Sequence, residues 1–209
     1  EDVRCAVQHI NNQCSVQAVV LQGAGPHFSI GGNPYASAAV TTLTGLALSL
    51  RKLYGGFLQL RNMSLPTIGA VHGTLIGGGI AGCLHADHLT ADYASTFEHG
   101  NLVRGVCVLG MLSQSFALAL GTHSGQVYLL NARLNATTAR ATGLVHQLCS
   151  SALVTQAHAL EVARFAANRA NIVRTLCQPC ARIHLAVLAR EAIGHAECLA
   201  VNGGMPTSG

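Results

Sequence analysis

Two glycine turns, Gly31-Gly32 and Gly77-Gly78-Gly79, are the parts of this chain best suited to chemistry. Each follows an apolar run of strand character, and the second leads directly into a helical segment. Unpaired backbone N–H groups at such turns are donors for an anion or for a carbonyl oxygen that gains negative charge. Glycine also lets a ligand approach the main chain closely. Neither turn is a P-loop, because no Gly-Lys-Ser/Thr follows, and neither is read as a dinucleotide-binding fingerprint. A single turn of this kind reads equally well as close packing at a strand end. Two in the same context point to a pair of donors for one carbonyl oxygen.

Other chemistry-bearing clusters are weaker. Cys177-Gln-Pro-Cys180 has ligand or redox spacing, but no second pair completes a zinc site and no thioredoxin-like strand precedes it. His85-Ala-Asp87-His88 superficially suggests a metal, yet it falls on a predicted helix, and no metal is expected.

The elements that must position the turns follow from periodicity and breakers. Residues 2–12 read as the end of a helix, with Val3, Ala6, Val7 and Ile10 on one face. A β-branched run over 16–22 predicts a strand, and residues 42–61 a helix broken at Gly55-Gly56. A buried strand is predicted at 66–71, a helix at 80–88, and short strands at 88–92 and 94–97. From 112 onward the text is mainly helical, at 112–121, 124–130, 137–143, 152–170 and 176–200. Strand–turn–helix units followed by a helical second half predict an α/β fold, with a core over 1–150 and a helical C-terminal region over 151–209.

Composition bounds the rest. The chain has 209 residues, half of them hydrophobic and only 10% charged, which supports a large core and excludes disorder. Its net charge of +4 is scattered, with one lysine, Lys52, which weighs against nucleic acid as a partner. No apolar run reaches the roughly 18 residues of a membrane span. The eight cysteines form no regular framework and read as reduced apolar filler in a cytoplasmic-type compartment.

Particular motifs resemble the crotonase (enoyl-CoA hydratase/isomerase) superfamily. Phe28-Ser-Ile-Gly-Gly-Asn33, within residues 16–37, is similar to its first signature. Leu65-Pro-Thr-Ile-Gly-Ala-Val-His-Gly-Thr-Leu-Ile-Gly-Gly-Gly79 is similar to its second, and Thr96-Phe-Glu-His-Gly-Asn101 with Arg104-Gly105 falls on its third. Ala139-Arg-Ala-Thr-Gly-Leu-Val145 resembles the motif before its last strand. The resemblance covers about residues 3 to 195. It implies a spiral of ββα units, a homotrimer, and an acyl thioester as substrate on CoA or on the phosphopantetheine of an acyl carrier protein, with no other cofactor. The family's two oxyanion-hole amides fall on Gly32 and Gly78, with Ile30, Gly31, Asn33 and Gly77 as neighbouring substrate-binding positions.

The chain departs from the pattern where a hydratase holds its two water-activating glutamates. Those positions are Ala81 and Asn101, and an amide cannot serve as a base near neutral pH. Decarboxylation, dehydration or isomerisation is therefore expected ahead of hydration, as in the hydratase-like enzymes of polyketide biosynthesis. A catalytically silent scaffold or carrier-docking domain is the competing expectation. Asn101 could still orient a substrate group or a water, and the remaining candidates near the site are Glu98, His99, His72, Tyr35 and Lys52, each of which has an ordinary reading as turn, core or helix-surface residue. Compared with the family, the initial strands are expected to be missing and the last helices shortened.

Overall fold

The computed structural model describes residues 2–32, 42–105, 107–168 and 181–201. Helix α1 (Asp2–Asn11) leads into strand β1 (Val19–Gln22), and α2 (Leu43–Arg61) follows. Strands β2 (Thr67–Val71) and β3 (Thr74–Ile76) precede the short helix α3 (Gly78–Cys83). Strands β4 (His88–Asp92) and β5 (Thr96–Glu98) precede α4 (Leu112–Leu120) and α5 (His123–Leu129). Then come β6 (Arg133–Asn135), α6 (Ala136–Ala141), β7 (Gln147–Cys149), α7 (Ala152–Ala167) and α8 (Ala181–Val201).

From β2 to β5 the strands alternate between two sheets. One is wholly parallel in the order β1-β2-β4-β7, and the other runs β3-β5-β6, with β6 antiparallel. The chain thus lays a strand in the first sheet, turns through a short strand in the second, and crosses back through a helix. That is the expected spiral of ββα units. Strand β2 is buried at all five residues, as a central parallel strand covered on both faces must be. The main core gathers Val71, Leu75, Ile80, Leu89 and Phe97 with Leu112 and Phe116. Helix α7 covers the first sheet by packing Ala159 and Ala163 against Ile68 and Ala70.

Several expectations need correction. Helix α2 runs unbroken through Gly55-Gly56, because Phe57, Leu58 and Leu60 anchor its inner face and because Gly56 lies close to the main chain of α1 at Arg4. The strand expected at 16–22 begins at Val19, and the one at 94–97 is displaced to Thr96–Glu98. The helix expected at 80–88 stops at Cys83, since His88 already pairs beside Ile68 in β4. Periodicity predicts none of β3, β6 and β7, although β7 follows the 139–145 motif that the resemblance sets before the last strand. The first part of the helix expected at 176–200, with the Cys177/Cys180 pair, lies outside the described residues. Among the described residues, no helix is long and apolar enough to cross a membrane.

Candidate functional site

The two glycine turns, far apart in sequence, meet at the edge of the second sheet. Ser29 forms a parallel bridge with Leu75, and the Ile76 N–H donates to the Ser29 carbonyl at 2.9 Å. Two residues beyond this bridge, the strands carry Gly31 and Gly77. Both have left-handed backbones, with φ of 95° and 57°, which glycine adopts at little cost. A methyl group built on Gly79 would lie 2.6 Å from the Ser29 Cβ, so only glycine admits this close crossing.

Gly32 is exposed, and nothing stands within 4 Å of where its side chain would be. Gly78 is the first residue of α3. Its N–H has no acceptor among the described residues, whereas the N–H groups of Ile80 and Ala81 both return to the Gly77 carbonyl. Ile30, beside the first turn, is 68% exposed. Gly32 and Gly78 thus each follow by one residue the left-handed glycine of a turn, Gly31 and Gly77, that the Ser29–Leu75 bridge brings together.

Asn101 also reaches this site. Its Nδ2 donates to the Cys107 carbonyl at 2.8 Å, and its Oδ1 lies 3.7 Å from the side-chain position of Gly77. Ala81 is fully buried, with its methyl 3.0 Å from the side-chain position of Gly110.

Other sequence candidates are directed elsewhere. Alternation along β5 sends Phe97 and His99 into the core, and the His99 ring packs between Phe116 and Tyr128. Burial lowers its pKa to about 4, and Nδ1 accepts from the Asn101 N–H at 3.3 Å. The imidazole is therefore neutral, with its proton on Nε2. The Glu98 carboxylate accepts from Asn131 Nδ2 at 3.4 Å. His72 contacts the Gly25 carbonyl through Nε2 at 2.7 Å, at the end of β2 beside α7 instead of at the turns. Lys52 is exposed on α2. Asn33 and Tyr35 lie outside the described residues. The suggested His85/Asp87/His88 cluster is pulled apart: His85 meets the Gly110 carbonyl, Asp87 accepts from the Thr67 N–H, and His88 stacks on His146.

One residue that the sequence reading did not single out does reach the site. Tyr54, on the inner face of α2, places its hydroxyl 3.0 Å from the side-chain position of Gly78. On the same face, Leu43, Ala47 and Arg51 form one wall of an apolar cleft of about 310 Å³, and Ala192 and Ile193 of α8 line the other. The spacing 43, 47, 51, 54 is one helical stripe, so Tyr54 continues the row of residues that forms this wall.

Residues 1–191 match the model of the enoyl-CoA hydratase/isomerase family. The probable enoyl-CoA hydratase EchA14 of Mycobacterium tuberculosis is 36% identical over 96 residues, covering 46% of this chain and 37% of that protein. The probable enoyl-CoA hydratase echA12 of Mycobacterium bovis is 30% identical over 148 residues, 67% of this chain and 52% of its own. The matched region therefore spans about half or less of the length of these relatives. An enoyl-CoA hydratase structure from Bacillus halodurans shares the fold with a TM-score of 0.83 at 19% identity, over 94% of this chain and 82% of that one. The family match over nearly the whole chain agrees with the spiral of ββα units and the paired glycine turns: this chain belongs to the enoyl-CoA hydratase/isomerase family, the crotonase superfamily.

Proposed function

We propose that this chain binds an acyl thioester, on CoA or on an acyl carrier protein, and stabilises its enolate through the N–H groups of Gly32 and Gly78. Its reaction is a decarboxylation, dehydration or isomerisation of the kind used in polyketide-type biosynthesis, in preference to hydration. The observation that carries this reading is the pair Ala81 and Asn101 beside open glycine turns. The amides remain able to polarise a carbonyl, while the residues that would take and return a proton from water are a methyl group and a carboxamide. Glu98 and Glu191, the nearby carboxylates in the fold, already accept hydrogen bonds from Asn131 and from the backbone at Met111 and Ser113. Decarboxylation asks least of such a site, because loss of carbon dioxide itself generates the enolate. Loss of one oxyanion donor typically costs about 3 kcal/mol of transition-state stabilisation.

The test is an intact-mass assay with 3-methylglutaconyl thioester on both carriers. Loss of the mass of carbon dioxide supports decarboxylation, whereas gain of water at hydratase-like rates overturns the preference against hydration. A second reading, a silent scaffold or carrier-docking domain, is favoured by the diversion of His99 and His72 away from the turns and by the engagement of the Glu98 carboxylate with Asn131. It predicts no mass change on either carrier. The homotrimer implied by the family is tested by sedimentation, which would give three times the monomer mass.

A further inference from the structure

Tyr54 lies on α2, remote in sequence from both glycine turns, yet its ring is held at the second of them. It packs edge-on against Phe57, with ring centroids 5.6 Å apart and planes at 71°, and against Leu58, Met111 and Leu188. A side chain on Gly110 would begin 2.8 Å from the Tyr54 Cδ1 and 3.0 Å from the Ala81 methyl. The phenol therefore lies beside Ala81, with its hydroxyl across the face of Gly78. Glycine at 110, with φ of 70°, and glycine at 78 are what admit the ring.

The ring's neighbours Phe57, Leu58, Met111 and Leu188 are apolar, and no described residue is hydrogen-bonded to the hydroxyl. The residue is half-buried, and its hydroxyl remains free to donate to an oxygen brought against Gly78. Burial also raises the phenol above its ordinary pKa, so it keeps its proton at neutral pH and can only donate to an oxygen that becomes negative. Where a hydratase would place a carboxylate that takes a proton, this fold holds a rigid neutral donor.

We propose that the Tyr54 hydroxyl is a third hydrogen-bond donor to the thioester oxygen, beside the amides of Gly32 and Gly78. This rests on the oxyanion reading above and adds a side chain to it. A donor fixed before the substrate arrives strengthens as charge develops on the oxygen and requires no reorganisation. The site then works with three neutral donors and no carboxylate, which suits an enolate formed by loss of a group over one formed by activating water.

The probe is a chromophoric thioester, 4-(dimethylamino)cinnamoyl, loaded on CoA and on an acyl carrier protein. Its absorption moves to the red as hydrogen bonds draw charge onto the carbonyl oxygen. The wild-type chain is expected to give a red shift. Tyr54→Phe, which keeps the ring and its packing, is expected to lose part of that shift and to bind the probe about fivefold to tenfold more weakly, as for one lost hydrogen bond. An unchanged shift in a folded Tyr54→Phe protein overturns the role of Tyr54 and leaves the amides standing. No shift with the wild-type chain on either carrier overturns the oxyanion reading itself, and this inference with it. Thermal unfolding of both proteins without probe provides the control, since a purely structural Tyr54 would change the melting temperature and leave the spectrum of the bound probe unaltered.

Discussion

Ala81 and Tyr54 form a complementary pair, and that exchange decides what can be put back into this site. Ala81 has no exposed surface, and its methyl lies opposite the Tyr54 ring across Gly110. Ala81→Glu, the simplest attempt to restore a hydratase, must bury a carboxylate against an aromatic ring. The expected result is a loss of at least about 3 kcal/mol in unfolding free energy, from overpacking and desolvation together. Tyr54→Ala in the same chain should recover part of this by opening space for the glutamate. Urea unfolding of the single and double variants checks it, and additive losses would mean the two side chains do not compete. The residue scale is also where the sequence was least legible. Gly31, Gly32, Gly77, Gly78 and Asn101 could be placed from their motifs, because a backbone turn needs a particular residue type. Tyr54 carries no such mark: an aromatic on the apolar stripe of a helix reads as core until the fold brings Gly78 and Gly110 to its two sides. His99 misled in the opposite sense, since its place next to Asn101 suggested the site, while the two-residue period of β5 turned it toward Phe116 and Tyr128.

At the scale of elements, helix α8 both lines the cleft and holds the segment that leads into α4. Glu191 is 4% exposed, and its two carboxylate oxygens accept the N–H groups of Met111 and Ser113 at the start of α4. His195 meets the Cys107 carbonyl at 2.8 Å. Met111 has a left-handed backbone, φ 65°, which a side-chain-bearing residue keeps only when its surroundings enforce it. Glu191→Ala strands the buried Met111 donor and releases the part-buried one at Ser113, and should cost about 2–3 kcal/mol; a change below about 1 kcal/mol in a urea titration would show that α8 is not what fixes this turn. Glycines separate packing from propensity in the same way. Gly55, mid-helix with open space around it, should tolerate alanine with a gain of about 0.5–1 kcal/mol. Gly69, where a methyl would stand 2.3 Å from the Leu89 Cδ2, should lose about 1–3 kcal/mol on the same change. Matching melting shifts for the two variants would contradict this assignment. Elements with many apolar residues in period, such as β2, β4 and α7, were legible in the chain. The three-residue strands β3, β6 and β7 were not, because so short a run has too few side chains to display a period and is defined only by its neighbours.

Across the whole molecule, the balance of titrating groups is unusual, with 11 histidines against 8 acidic residues. The fold buries several of those histidines without a counter-charge. His88 is held down to about 4, first by burial and then by His146 and His158 beside it. His99 is held at about 4 by burial alone. Burial lowers His146, helped by Arg140, and lowers His195 against the opposing contact with the Cys107 carbonyl. Among the described residues, the acidic group paired with the His88 cluster is Glu161, 3.9 Å from His158 on the exposed side of α7. In the unfolded chain each histidine titrates near 6.5. Between pH 6.5 and 4 the unfolded state therefore binds protons that the folded state refuses, and stability must fall as the pH falls through that window. The net charge, already +4 with neutral histidines, becomes more positive as the pH falls, and self-repulsion then acts in the same direction. The urea midpoint should hold steady above about pH 7 and drop progressively from pH 6.5 toward 4, with a shallower drop in His88→Leu, which removes one of the refused protons. A midpoint equal at pH 7.5 and pH 5 would mean that the histidines protonate inside the fold, with the His88, His146 and His158 stack and the His99 pocket opening to admit water.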